Sequence, residues 1–169
     1  MEASARPPRI VVIGVGNAFR RDDGVGPVVV DALARHGEHS PLPPGTGLFV
    51  CDGEPVRLLT LWQGADLAVV VDAALARPPR PGRIHRIGTE RVLRAAAHAT
   101  AGSHGLGLRT AVELARALGR LPAHLIVYAV EAADTRAGPG MTSPVRAAVA
   151  PLVRRIAADV ARHARPAAP

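Results

Sequence analysis

The sequence predicts an α/β fold: a three-layer α/β/α sandwich around a mostly parallel, twisted sheet of about five strands. Three observations carry that expectation. Five short apolar runs, rich in β-branched residues and bounded by turn signals, read as buried parallel strands. Segments with the apolar period of a helix lie between them. Alternation of the two calls for crossovers that pack helices on both faces of one sheet. Aromatics make up only 2% of the 169 residues, so Val, Leu, Ile and Ala must fill the core.

The strand runs are Ile10 to Ile13, Leu48 to Cys51, Leu67 to Val71, Arg83 to Ile87 and Leu125 to Val130. The fourth is the most polar and is expected at an edge. After the first run, Val25, Val28, Val29, Ala32 and Leu33 keep the spacing of one helix face, with Pro27 tolerated in the first turn. Ala111, Leu114, Ala115 and Leu118 do the same, and Gly119 offers a stop. The last helix is expected to start at Ser143-Pro144, N-cap then first-turn proline, and to be kinked or interrupted at Pro151. Pro/Gly stretches at Pro41 to Gly47, Pro78 to Gly82 and Ala137 to Gly140 read as loops, not linkers. One domain is expected over 9–164, with 1–8 and 165–169 as flexible tails.

Net charge is +7, and every one of the 21 cations is Arg. The cations are scattered and only four aromatics exist, so no nucleic-acid partner is expected. The single cysteine, Cys51, excludes an internal disulfide and reads as a small core residue. With no apolar signal core and no run of about 18 apolar residues, the expectation is a cytoplasmic protein without a membrane partner. Six arginines between Arg77 and Arg94 (Arg77, Arg80, Arg83, Arg86, Arg91, Arg94) form either a contact for an acidic patch or, as preferred, a solvated edge with snorkelling side chains.

Ligands of an open parallel sheet bind beyond the carboxyl ends of its strands. Asn17, Asp22 and Asp23 follow the first run in GVGNAFRRDDGVG, Asp52 the second, Asp72 the third and Glu131 the fifth; His104, in SHGLGL, immediately precedes a helix. Several carboxylates and one imidazole are therefore expected on one rim. Singly, each has a plainer role: Asp22 or Asp23 as a helix cap, Asp72 and Asp52-Gly53 as turns. His36, His39, His85, His98, His124 and His163 read as surface or satisfied side chains. The GxG after the first strand lacks the third glycine of a dinucleotide loop, and two aspartates stand where a pyrophosphate needs donors. The anions argue for a cation at this turn.

From Ile10 to about Val160 the sequence resembles the hydrogenase maturation endopeptidases, which trim the C-terminal tail of the nickel-containing large subunit of hydrogenases. The resemblance rests on GVGNAFRRDDGVG, CDGEPVRLL, VVVDAA, SHGLGL and VEAADTRAGPGMTSPVRAAV, in that order. It implies a phosphorylase/hydrolase-like sandwich and an endopeptidase of the aspartic-type grouping. It also implies a metal-ligand set of Asp23, Asp72 and His104, with the hydrolytic group unassigned. Arg20 and Arg21 fill a spacer that is often apolar in that family. Two carboxylates and an imidazole suit Ni²⁺, Zn²⁺ or similar ions and leave coordination positions open. Either the protease holds its own metal, which activates water, or the ion is nickel carried by the substrate, with Zn or Cd able to take the same site. The resemblance implies the second. The implied partner is the large-subunit precursor, and a monomer is expected. A non-enzymatic, metal-dependent scaffold for the precursor and a nucleotide-binding α/β domain are the alternatives.

Overall fold

The computed structural model describes residues 6–98 and 106–165. Five strands, β1 (Ile10–Val15), β2 (Thr46–Cys51), β3 (Leu67–Ala74), β4 (Ile84–Gly88) and β5 (His124–Glu131), form one sheet. Five α-helices accompany them: α1 (Val25–His39), α2 (Pro55–Trp62), α3 (Thr89–His98), α4 (Leu106–Ala117) and α5 (Ser143–Ala164). All five apolar runs are strands; the central β1 and β3 are apolar along their length because both of their faces are buried. β3 is the extreme case, buried at seven of its eight residues.

The two-residue period of the strands divides the core. Ile10 and Val12 of β1, Leu67, Val69 and Val71 of β3, and Tyr128 and Val130 of β5 pack against α1 and α5. Their neighbours Val11, Ile13, Ala68, Val70, Leu125 and Val127 pack on the other face, against Leu58 and Trp62 of α2, Val92 of α3 and Ala111 and Ala115 of α4. The outcome is an α/β/α sandwich with a mostly parallel mixed sheet in the order β2-β1-β3-β5-β4. Among the described residues no helix is long and apolar enough to cross a membrane.

Three expectations need correction. The fourth run lies at the edge as expected but is antiparallel, with Ile84 opposite Val130 and Gly88 opposite Ile126. The Pro/Gly-rich link after β3 is too short for a helical crossover, so it delivers the chain to the top of β4 and sends it downward. Secondly, α5 starts with Thr142 at the N-cap position, and Ser143 is already helical. Thirdly, α5 runs uninterrupted through Pro151, since buried Ala148, Leu152, Val153 and Ile156 anchor it on both sides of the missing amide. Helices α2 and α3, eight and ten residues long, were not expected from the sequence. The start of α2 is nonetheless written in Glu54-Pro55: the Glu54 carboxylate accepts from the amides of Val56 at 2.9 Å and Arg57 at 2.8 Å.

The arginine-rich segment is an edge, as preferred. Arg86 reaches from β4 to the buried carboxylate of Asp159, which also accepts from Tyr128 Oη at 2.7 Å and from Arg162.

The helix layer touches the sheet most closely where β1 meets α1. A Cβ on Gly14 would lie 2.2 Å from the carbonyl oxygen of Gly26; one on Gly26 would lie 2.3 Å from that of Val15 and 2.7 Å from that of Val71. These atoms are backbone and cannot swing aside. Gly26→Ala is therefore expected to cost about 3 kcal/mol, read as a fall in Tm of roughly 10 °C. An unchanged melting curve would contradict this account of the contact.

Candidate functional site

The sheet order reverses between β1 and β3: β1 connects outward to β2, whereas β3 connects away towards β4. Connections that part in this way leave a crevice at the carboxyl ends of the two strands. Gly14 pairs with Val71, so Asp72 stands level with Val15, the last residue of β1. A cleft of about 210 Å³ opens here. Asp23, Asp52, Asp72 and Arg20 give it polar walls, and Gly16, Gly53 and Gly107 are among the small residues that let backbones line it.

The turn after β1 is built around its glycine and asparagine. Gly16 adopts φ +134°, and a Cβ there would sit 1.9 Å from the carbonyl oxygen of Asp23. The chain then folds back through a 3₁₀ turn, Arg21–Gly24, held by the amide of Asp23 on the carbonyl of Arg20. The amide of Asn17 donates to Asp23 Oδ2 at 3.0 Å. That amide is thereby spent, so a phosphate could not use it, which weighs against a nucleotide at this turn.

The acidic pair divides its labour. Asp22 is fully buried and faces away from the cleft. Its carboxylate accepts from the amides of Ala133 (2.8 Å), Asp134 (3.0 Å) and Thr142 (2.7 Å) and from the Thr142 hydroxyl (2.9 Å). Burial pushes its pKa up, but these donors outweigh it and hold the carboxyl below the usual range. Asp22 thus pins the 133–142 loop to the turn after β1, and neither aspartate caps a helix through its side chain. The two arginines of the spacer take part. Arg21, at φ +46°, donates its amide to Gly138 and lies 3.4 Å from Asp134; Arg20 donates its Nε to the carbonyl of Thr135.

Asp23 and Asp72 are each only 8% exposed, and both line the cleft. Burial, and then the negative charge of Asp23, push the Asp72 carboxyl up to about 8. Asp72 therefore keeps its proton at neutral pH. Hard oxygen donors in this state fit a cation, which would displace that proton.

Of the residues expected on the rim, the structure brings Asp23, Asp52 and Asp72 to the cleft. His104 lies outside the described residues; α4 begins two positions later, and its Gly107 and Leu108 line the cleft. Among the described residues no group of three or more His, Cys, Asp or Glu side chains is placed to hold a metal. Glu131 does not reach the cleft. It accepts from the amide of Arg80 and from His85 Nε2, each at 2.6 Å, and the His85 contact leads in holding its carboxyl below the usual range. Cys51 is buried in the core, and burial pushes its thiol up, away from the reactive thiolate. Asp52, expected on the rim or as a plain turn, is a cleft residue; Arg20, an unexplained spacer residue in the sequence, lines the cleft too.

Three comparisons bear on this site. A family model described as HycI, hydrogenase maturation protease, matches residues 29–159. The hydrogenase expression/formation protein HupD of Bradyrhizobium diazoefficiens is 28% identical over 155 residues, covering 90% of this chain and 78% of that protein. Among solved structures, the hydrogenase maturating endopeptidase HybD from E. coli superposes with a TM-score of 0.76 at 24% identity, over 91% of this chain and 93% of that one. The [NiFe] hydrogenase maturation protease HybD from Thermococcus kodakarensis does so with a TM-score of 0.68 at 21% identity, over 93% of this chain and 99% of that one. The structural likenesses carry the fold.

Proposed function

The chain belongs to the hydrogenase maturation protease family and is a peptidase, and from that premise we propose that it removes the C-terminal tail of a nickel-containing hydrogenase large-subunit precursor, in the cytoplasm, after nickel has been inserted. Asp23, Asp72 and His104 read the nickel that the precursor carries; Zn²⁺ or Cd²⁺ can take its place. The observation that supports this reading is the enclosed Asp23–Asp72 pair, with the Asp72 carboxyl held near 8 by burial and by its neighbour's charge.

Such a pair distinguishes loaded from empty precursor by electrostatics alone. A loaded precursor brings the positive charge that lets both carboxylates ionise, and Asp72 gives up its proton on contact. An empty precursor meets a protonated Asp72 and brings no charge that would displace its proton. Arg20 is tethered at the cleft wall through the carbonyl of Thr135. The group that attacks the scissile carbonyl is left unassigned.

The test is to incubate the purified protein with nickel-loaded and nickel-free precursor and weigh the products by mass spectrometry. Shortening of the loaded form alone is expected. Equal cleavage of both would overturn the nickel-reading role, and cleavage of neither would overturn the substrate assignment. Asp23→Ala and His104→Ala are each expected to slow processing at least ~100-fold, with unchanged circular dichroism, as loss of a metal ligand or its equivalent does.

A further inference from the structure

The amino ends of β3 and β5 carry a second polar site, at the opposite end of the sheet from the acidic cleft. A cavity of about 720 Å³ opens there. Its lining includes Leu67 and His124, the paired first residues of β3 and β5, and Gly88, the last residue of antiparallel β4. Arg86 enters from β4. Asp159, Arg162 and His163 enter from the last turns of α5, where spacings of three and four put them on one side of the helix. Thr89 lines the cavity too, but its hydroxyl is committed to the amide and carbonyl of Leu125. A further cavity of about 300 Å³ shares Arg86, Asp159 and Arg162 and adds Arg155. Among the described residues, Asp159 is the only acid lining either cavity.

The cluster is built around that buried carboxylate. The Asp159 side chain is 3% exposed and accepts from Tyr128 Oη at 2.7 Å, from Arg86 Nε at 2.9 Å and from an Nη of Arg162. Burial pushes its pKa up, but these donors outweigh it, so Asp159 stays ionised and holds both guanidiniums. One carboxylate thus answers two arginines and leaves a positive charge over. Each guanidinium has five N–H donors, of which Asp159 takes the Nε of one and an Nη of the other. The arginine side chains stay accessible, Arg86 at 48% and Arg162 at 70% exposure. Beside them His124 and His163 meet edge to face, with ring centroids 5.0 Å apart. Burial, and then the charge of His124, hold the His163 imidazolium below its usual range, against the opposing pull of Asp66. An anion next to the two rings relieves their repulsion.

We infer that Arg86, Arg162, His124 and His163 form a binding site for a phosphate group, carried either by the free ion or by a small phosphate ester. The donors come from three elements, β4, β5 and α5, and are braced by a carboxylate that the ligand does not touch. A tetrahedral dianion has acceptor oxygens for several of them at once, whereas a planar carboxylate is satisfied by a single guanidinium fork. The cavity's volume is that of a small-molecule site, which leaves room for the body of an ester. The site is independent of the acidic cleft, so its test needs no precursor.

The experiment titrates the purified protein with inorganic phosphate, with AMP and, at matched ionic strength, with acetate. Binding is read by calorimetry and by the imidazole signals of His124 and His163 in NMR spectra. Phosphate or AMP should bind at least about tenfold more tightly than acetate and move both imidazole signals. Tighter binding of AMP supports the site and assigns it to an ester; tighter binding of phosphate supports it and assigns it to the free ion. His124→Gln/Arg162→Gln should weaken the preferred ligand about tenfold or more. Arg162 also braces Asp159, so His124→Gln alone, at an exposed position, keeps the test independent of folding: its melting curve should stay native while affinity falls severalfold. The site is overturned if neither phosphate nor AMP binds, if acetate binds as tightly, or if the imidazole signals stay in place. It is equally overturned if both variants bind phosphate and AMP as the native protein does.

Discussion

Asp72→Asn is expected to raise the melting temperature of the metal-free protein at pH 8 and to abolish precursor processing. Burial and the charge of Asp23 raise the folded-state pKa of Asp72 from 3.8 to about 8. A carboxyl whose folded pKa exceeds its unfolded one stabilises nothing when ionised. Below about pH 4 both states are protonated and the group is neutral in its effect. Between about pH 4 and pH 8 the unfolded chain ionises while the folded chain keeps its proton, so stability falls as pH rises; above that window the full cost, as much as ~5 kcal/mol, is present. Asparagine keeps the shape and removes the charge. Thermal melts from pH 4 to pH 9 should show the native Tm declining across the window, the variant's staying level, and the two meeting near pH 4. A level native curve would contradict the buried-pair description. A divalent cation should raise the Tm of the native protein but not of the variant, because binding to the folded state alone stabilises it.

Asp22→Ala is expected to act in the opposite sense to Asp72→Asn, although both positions hold a buried aspartate. It strips four hydrogen bonds from a fully buried carboxylate and leaves the amides of Ala133, Asp134 and Thr142 without their acceptor. A loss of roughly 3–5 kcal/mol follows from breaking such a buried charged network. The 133–142 loop should loosen, and trypsin should cut after exposed Arg136 much faster than in the native chain. Because hydrogen bonding depresses the folded pKa of Asp22, its contribution is present above pH 4 and is lost as pH falls through that depressed value. Denaturant titration that placed Asp22→Ala within 1 kcal/mol of the native protein would refute the staple.

The contrast between these aspartates also marks where the sequence stopped being legible. The strands were readable because burial on both faces writes continuous apolar runs, and β4 was readable as an edge because its outer positions stay polar. Its direction was not, since that depends on where a short link deposits the chain. The acidic rim was readable from strand ends alone. What separated Asp22 from Asp23 was invisible: both follow a glycine turn and precede a helix, and the deciding donors stand 111 to 120 positions away. The same distance explains the helix start. Thr142 stands at the N-cap position, but its hydroxyl is given to Asp22, so the cap could not be placed by local pattern. Arg20 and Arg21 likewise acquire their meaning only from Thr135 and Gly138.

The staple has a consequence for the order in which the protein becomes competent during synthesis. The segment GVGNAFRRDDGVG leaves the ribosome early, but the residues that sort its two aspartates lie beyond β5, in the last quarter of the chain. Until that quarter has emerged and folded back, neither aspartate is committed to loop or cleft. A nascent chain therefore carries the acids of the site without the site, and a cation met at that stage finds no pair fixed to receive it.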